Sequence, residues 1–403
     1  MKIGIFGGTF NPPHLGHLAA ARTAIEALGL DKLLIIPAAV PPHKELPEGT
    51  PAPEHRLAMA EKLADALLLP EVAEVSSLEL DRAGKSYTAD TVRALHEQYP
   101  GAELWLLMGT DMFLTLHQWR EPEKILELAG VCAFGRAEGD SEEVFASQKA
   151  YLEKTYPGAR VTTIAVLGLV DISSTRLREL LARGEGGDYL YPAVYGHILM
   201  NGLYGTHADL KHLDIPELRA CSYSMVMQKR VRHIRGTEEE AVRLAKRWGA
   251  DETHARRAGI LHDCTKYLEL EEQLGLCEKY GVELDELEHR AVKLLHSKTG
   301  ACMARYLFGE PDEVYEAIFW HTTAKADMTT LEKILYVADY MEPNRTFEGV
   351  ERLRELAYSD LDKALLLGVE TTIQEMKDRN LPVHKNTLQA QAWLREHGVT
   401  IEG

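Results

Sequence analysis

Hydrophobic periodicity changes character once along this chain, and that change limits its fold more than any other feature. As far as about Tyr195, short apolar runs that read as strands (Lys2 to Phe6, Lys32 to Pro37, Glu103 to Met108, Gly130 to Phe134 and Val161 to Val170) alternate with amphipathic stretches of helical period such as Leu15 to Leu28. Such alternation builds a parallel sheet through right-handed crossovers, with ligands collecting at the carboxyl ends of the strands. From Ile215 to Gly403 only the helical period persists, for example over Thr237 to Trp248, Glu288 to Phe308 and Leu331 to Met341. The sequence predicts an α/β unit over residues 1–204, a short ordered connector over 205–215, and an all-α unit over 216–403. A chain of 403 residues exceeds one ordinary core, so two enzymatic units are expected.

Charge and cysteine usage narrow the class. With 45 basic against 62 acidic side chains, the net charge of −17 argues against broad binding of nucleic acid or anionic membrane, so any phosphate ligand must be held by local positive features. The five cysteines are scattered and form no Cys-x-x-Cys pair, which fits a reducing compartment. The N-terminus enters a strand at once and no apolar run reaches the roughly 18 residues of a membrane span, so a cytoplasmic protein is expected. Oligomeric state is left open, a homo-oligomer included.

The first strand runs directly into Gly7-Gly8-Thr9-Phe10-Asn11-Pro12-Pro13-His14-Leu15-Gly16-His17. Gly7 and Gly8 allow close approach of backbone to a polyphosphate, and the helix from Leu15 turns its positive end toward the same place, a cradle without a Walker lysine. His14 and His17 are three apart at the helix start, so both can donate to phosphate oxygens as charge builds on a leaving pyrophosphate. A phosphate monoester is already anionic near neutral pH, so its attack needs positioning and charge neutralisation, not a general base. Further on, in Ile172-Ser173-Ser174-Thr175-Arg176-Leu177-Arg178, hydroxyls cap a helix and Arg178, one turn in, can grip triphosphate oxygens.

The glycine–histidine string is similar to the signature of the nucleotidyltransferase superfamily. Together with Pro41-Pro42-His43-Lys44, Ser86-Tyr87-Thr88-Ala89-Asp90-Thr91, Gly109-Thr110-Asp111, Trp119-Arg120 and Ser173 to Arg178, in that order, Met1 to about Tyr204 resembles the bacterial nicotinate-nucleotide adenylyltransferases. The resemblance implies a Rossmann-like nucleotidyltransferase fold that makes nicotinate adenine dinucleotide and pyrophosphate from nicotinate mononucleotide and ATP, with Mg2+ accompanying ATP. It assigns Gly7, Gly8, Thr9, Phe10, His14, His17, Asp111, Ser173, Ser174, Thr175 and Arg178 to the ATP side and Lys44 to the reacting phosphates. Thr88, Asp90 and Trp119 would face the mononucleotide, Trp119 as a stacking platform for its ring. Pantetheine-phosphate adenylyltransferase shares the His-x-Gly-His element but lacks the Pro-Pro-His-Lys and Ser-Tyr-Thr segments. Enzymes preferring nicotinamide mononucleotide are the nearer alternative.

In the helical half, His262-Asp263 directly follows the apolar stretch Ala258 to Leu261, where a solvated pair is not expected. His233, His296, His321 and Asp339 fall on separate expected helices or helix ends, and the six groups offer imidazole and carboxylate ligands for two divalent ions. Leu331, Leu335 and Tyr336 lie on Asp339's side of its helix, so a carboxylate buried there requires a compensating charge. Such mixed ligation accepts iron, manganese, cobalt or zinc, of which iron or manganese is expected.

That order of ligands resembles the HD-domain phosphohydrolases. The strings His262-Asp263-Cys264-Thr265-Lys266, Trp320-His321-Thr322-Thr323 and Tyr336-Val337-Ala338-Asp339-Tyr340-Met341-Glu342-Pro343 look like those of the bacterial symmetrical diadenosine-tetraphosphate hydrolases, over about Leu218 to Leu394. The resemblance implies metal-assisted attack of water on a bridging polyphosphate to give two ADP, with Asp263 catalytic and Lys266 and Arg345 as phosphate contacts. Ala324 stands where many relatives have glycine, and Ile234-Arg235-Gly236 after His233 is also atypical. Two other readings stay open for this half: hydrolysis of another nucleotide polyphosphate, and nucleotide sensing without turnover.

Overall fold

A computed structural model describes residues 1–41, 45–82, 84–136, 142–166 and 172–401. The chain divides into two compact units, Met1–His207 and Ala208–Gly403.

Among its described residues the first unit holds six strands, β1 (Lys2–Gly8), β2 (Lys32–Pro37), β3 (Ala73–Val75), β4 (Glu103–Gly109), β5 (Ala129–Arg136) and β6 (Val161–Val166). All pair in parallel, in the order β3-β2-β1-β4-β5-β6. Eight α-helices accompany them among the described residues: α1 (Leu15–Leu28), α2 (Pro53–Asp65), α3 (Thr88–Gln98), α4 (Thr110–Thr115), α5 (Pro122–Leu128), α6 (Glu142–Thr155), α7 (Ser174–Leu181) and α8 (Pro192–Met200). Successive strand side chains face opposite ways, so Ile3 and Ile5 of β1 join Leu104 and Leu106 on one face while Phe6 joins Leu33 and Ile35 on the other. Strand order reverses between β1 and β4, and a ligand crevice opens at the carboxyl ends of such a pair. Gly7–Gly8 and Gly109-Thr110-Asp111 are those two ends.

The expected strands are present, with β1, β4 and β5 longer by one to three residues. The expected run to Val170 is seen as far as Val166, since 167–171 lie outside the described residues. β3 was not anticipated: three residues carry no readable period, and pairing with β2 makes them a strand.

The second unit contains α9 (Ile215–Ser224), α10 (Gln228–Trp248), α11 (Glu252–Leu261), α12 (Leu270–Lys279), α13 (Val292–Cys302), α14 (Asp312–Trp320), α15 (Thr330–Met341), α16 (Val350–Ser359), α17 (Leu361–Asp378) and α18 (Lys385–Glu396). No strand occurs among its described residues. α9 and α15 begin with reciprocal capping boxes, Asp214 with Glu217 and Thr329 with Glu332. The expected helix from Glu288 to Phe308 is instead a 3-10 turn at Glu288–Arg290, α13, and a π turn at Met303–Leu307. Glu288 is drawn inward to Lys298 at 2.6 Å and His384 at 3.2 Å, which breaks the helix at Ala291.

Ala324 has φ 57°, in the left-handed region where a Cβ costs about 1–2 kcal/mol and glycine costs little. Glycine, the residue expected there, would hold this backbone more easily.

Candidate active sites

In the first unit α1 begins at the mouth of the crevice. The His14 backbone N–H donates to His17 Nδ1 at 3.2 Å, and the Gly16 N–H donates to His14 Nδ1 at 3.2 Å. A neutral imidazole accepting at Nδ1 carries its proton on Nε2, so the cap fixes both rings in the tautomer whose Nε2–H is left to donate. Burial pushes His14 down to about 4, and burial together with His14 holds His17 well below the usual histidine range. Both are thus neutral donors at pH 7. Phe10 sits behind them: its ring is buried, packs edge-on to Phe6 at 5.6 Å and lies 5.3 Å from the His17 ring. Its ring fills the space between Phe6 and His17.

A cavity is lined by Thr9, Asn11, Glu45, Leu46, Pro47, Ser173, Ser174, Thr175 and Arg178. Ser173 caps α7 by accepting from the Arg176 N–H at 3.2 Å. Arg178 donates to the Asn11 carbonyl at 2.8 Å and to Thr175 Oγ1 at 3.2 Å, which ties the loop before α1 to the start of α7. Sequence-distant motifs thereby share one concavity. A Cβ on Gly7 would meet nothing within 4 Å, so the strand end faces open space. Asp111 is exposed in the first turn of α4. Lys44, with Pro42 and His43, lies outside the described residues.

Thr88 opens α3. Asp90, two residues on in the same first turn, pairs with Arg93 at 3.0 Å and lies 3.9 Å from Arg120, whose guanidinium sits 4.5 Å above the Tyr87 ring. This joins the first turn of α3 to the Trp119-Arg120 dipeptide. Trp119 is half-buried, partly packed on the core.

Arg56 was missed by sequence reasoning. It is 1% exposed on α2, and its guanidinium donates to the carbonyls of Thr9 at 3.2 Å, Ala38 at 2.5 Å and Ala39 at 3.3 Å. It thereby braces the loops after β1 and β2 from behind. An arginine in a helical stretch carries no signal that it points inward.

In the second unit the six groups expected to bind metal converge, from α10, the end of α11, α13, the end of α14, and α15. His233 Nε2 lies 3.0 Å from Asp339 Oδ1 and 3.2 Å from His262 Nε2. Asp263 sits between two groups: Oδ2 is 3.5 Å from His233 Nε2 and 3.4 Å from His262 Nε2, while Oδ1 is 3.2 Å from His296 Nε2. Two triads have donor atoms within 4.8 Å of one another, His233–His262–Asp339 and Asp263–His296–His321.

Each imidazole is tethered at Nδ1. His262 donates to the Gly259 carbonyl at 2.8 Å, His296 to that of Lys293 at 2.7 Å, His321 to that of Ile318 at 2.7 Å, and His233 to Glu342 Oε1 at 3.2 Å. Such outer bonds orient metal-ligating histidines and turn each Nε2 inward. Burial lowers His296 and, with His296 and His262 beside it, brings His321 to about 3, so both stay neutral. Burial opposes ionisation of Asp263 and Asp339, but surrounding imidazoles and cations hold both well below the usual carboxylate range. His233 moves up: Asp339 and Glu342 outweigh its burial. An enclosed set of nitrogen and oxygen donors this close could hold two divalent ions. Arg345, expected at a phosphate, donates to Asp339 Oδ1 at 2.9 Å; Lys266 Nζ lies 2.9 Å from His296 Nε2. Arg230, not anticipated, pairs with Asp263 Oδ2.

Gly236 and Glu342 form a further pair that was not anticipated. A Cβ on Gly236 would lie 2.3 Å from Glu342 Oε2, so only glycine lets Glu342 reach His233 from below. A third group, Asp285, Glu288 and His384, is neutralised by the chain itself, with Lys298 2.6 Å from Glu288 and Lys385 3.2 Å from Asp285. It fixes the segment before α13, which carries His296.

Comparisons with known proteins divide at the same place. Residues 5–180 match the cytidylyltransferase-like family model and residues 230–344 the HD domain model. A probable nicotinate-nucleotide adenylyltransferase of Trichlorobacter lovleyi is 39% identical over 216 residues, 51% of this chain and 99% of that protein. The symmetrical bis(5'-nucleosyl)-tetraphosphatase of Bacillus subtilis is 36% identical over 179 residues, 44% of this chain and 96% of that protein. A solved structure titled as a predicted HD superfamily hydrolase involved in NAD metabolism, from Clostridium acetobutylicum, is 37% identical, covers 46% of this chain and 98% of its own, and has a TM-score of 0.45.

Proposed function

Because the chain belongs in its first half to the nicotinate-nucleotide adenylyltransferases and in its second to the HD-domain proteins, we propose that it is a bifunctional enzyme of adenine-nucleotide chemistry. The first unit joins ATP, carried with Mg2+, to nicotinate mononucleotide. The observation supporting it is the pair of capped histidines whose Nε2–H groups are left to donate, at the end of a loop that Arg178 holds through the Asn11 carbonyl. A phosphate oxygen of the mononucleotide attacks the α-phosphorus of ATP, the bond to the β-phosphate bridging oxygen breaks, and pyrophosphate departs. His14, His17, Arg178 and the α1 N-terminus neutralise the charge gathering on it. Lys44 joins them at the phosphates. Ser173, Ser174, Thr175 and Asp111 hold the ATP side, and Thr88, Asp90 and Trp119 the mononucleotide.

The second unit hydrolyses diadenosine tetraphosphate to two ADP. Water adds to one of the two central phosphorus atoms and the oxygen between them leaves with the other ADP. Two divalent ions, held by His233, His262, Asp339, Asp263, His296 and His321, would supply activated water and charge neutralisation. The chain orients the ligands through the Nδ1 tethers, and Lys266 and Arg345 take phosphate oxygens. What supports this reading over sensing without turnover is the intact set of six ligands with every imidazole tethered.

The test offers the purified chain ATP with nicotinate or nicotinamide mononucleotide, and separately diadenosine tetraphosphate with manganese, iron, cobalt or zinc, and resolves the products by chromatography. Nicotinate adenine dinucleotide and ADP are expected. A chain that binds diadenosine tetraphosphate without cleaving it would reduce the second unit to a sensor.

A further inference from the structure

The two triads of the second unit are not equivalent, and the difference lies in what already occupies their lone pairs. An imidazole Nε2 has a single lone pair, whereas a carboxylate oxygen keeps spare ones. Arg230 and Arg345 bind carboxylate oxygens, of Asp263 and Asp339, and therefore leave acceptor capacity behind. Lys266 differs. Its ammonium lies 2.9 Å from His296 Nε2 and 3.6 Å from Asp263 Oδ1, and His296 Nδ1 already donates to the Lys293 carbonyl, so Lys266 bonds the one lone pair that a metal would need.

The other triad has no ammonium on its nitrogens among the described residues: His233 Nε2 lies 3.2 Å from His262 Nε2 and 3.0 Å from Asp339 Oδ1, so only a proton, which solvent can take as a metal binds, holds them together, and the triad carries an added anion behind it. Glu342 is 1% exposed; Oε1 accepts from His233 Nδ1, while Oε2 accepts from the Asn344 backbone at 2.8 Å and its side chain at 2.7 Å. A carboxylate at Nδ1 raises the basicity of a ligating imidazole more than the carbonyls that serve His262, His296 and His321.

From this we propose that the centre loads in order. The first ion is held by His233, His262 and Asp339, made tight by Glu342. The second, held by Asp263, His296 and His321, binds only as Lys266 gives up His296, and Lys266 is thereby released toward substrate phosphate. This rests on the two-metal reading above and adds a sequence and a displaced occupant to it.

Titration of the metal-free full chain with Co2+, followed by calorimetry and by visible ligand-field absorption, tests it without any substrate. Two resolved steps are expected, the second weaker by about tenfold or more, as loss of a charge-assisted hydrogen bond would make it. Lys266→Met should leave the first step unchanged and tighten the second by about tenfold, and Lys266→Gln should do the same by a smaller factor. Glu342→Gln should weaken the first step by about 10- to 100-fold. Circular dichroism verifies folding of each variant, and His321→Ala, which removes a ligand of the second triad alone, should erase the second step. Two equal steps in the wild type, or a second step that Lys266→Met leaves unchanged or weakens, would overturn the order of loading while keeping two metals. Absence of any Co2+ binding would overturn the two-metal reading itself.

Discussion

Replacing His17 by alanine separates a catalytic from a structural role, since the ring serves both ends of one hydrogen-bond arrangement. On the structural side the change deletes the Nδ1 acceptor for the His14 N–H and ring contacts with Phe10 and Phe6, with centroids at 5.3 and 6.1 Å. A lost cap bond costs about 1 kcal/mol and a lost aromatic contact about 0.5–1 kcal/mol, so the total of roughly 2 kcal/mol falls well within a domain stability of about 5–15 kcal/mol. The protein should remain folded, with a thermal midpoint lower by about 4–8 °C for a unit of this size. On the catalytic side the change removes a preorganised donor to the departing pyrophosphate, worth about 10²–10³ in kcat. Pyrophosphate release from ATP and nicotinate mononucleotide measures the second quantity, and a melting curve the first. Turnover within threefold of wild type would refute the role assigned to Nε2. So would a loss of activity matched by unfolding.

Three more outcomes follow from named contacts. Arg56→Met strips three loop carbonyls of their buried donor, which costs about 2–4 kcal/mol and should raise the KM for ATP; an unchanged melting point would contradict it. His14 and His197 are both brought to about 4 from 6.5 by burial, so at pH 7 neither affects stability, and the penalty grows as pH falls below 6.5 until about pH 4. His14 should cost about 2 kcal/mol by pH 5 and the more exposed His197 less, read as faster exchange of β1 and β4 amides; exchange-derived stability constant from pH 7 to 5 would refute the burial argument. Gly236→Ala places a methyl against Glu342 and should cost about 1–3 kcal/mol, weaken metal binding and leave adenylyl transfer untouched; normal hydrolysis would show that Glu342 does not position His233.

Where residue type itself carries the message, the sequence was readable. The β1 glycines, the histidines opening α1 and the His262-Asp263 pair all depend on chemistry that few other residues supply, and the structure brings the six expected ligands into one cluster. The sheet followed from strand-length apolar runs separated by helices. What escaped notice depends on burial of polar side chains by distant segments: Arg56 beneath two loops, Arg230 on Asp263, and Glu342 behind His233. The packing of Phe10, read from its motif as an ATP-side residue, was also not legible: its apolar ring lies 5.3 Å from that of His17. The break at Ala291 was equally hidden, because the groups that draw Glu288 inward, Lys298 and His384, lie 10 and 96 positions away.

Product analysis of wild type and Asp263→Ala on both substrate sets tests the assignment of two chemistries to two units most directly. The account predicts that wild type forms nicotinate adenine dinucleotide from ATP and nicotinate mononucleotide and two ADP from diadenosine tetraphosphate, and that Asp263→Ala loses ADP formation alone. Formation of ATP and AMP from diadenosine tetraphosphate, persistence of ADP formation in the variant, or loss of both activities together would contradict it.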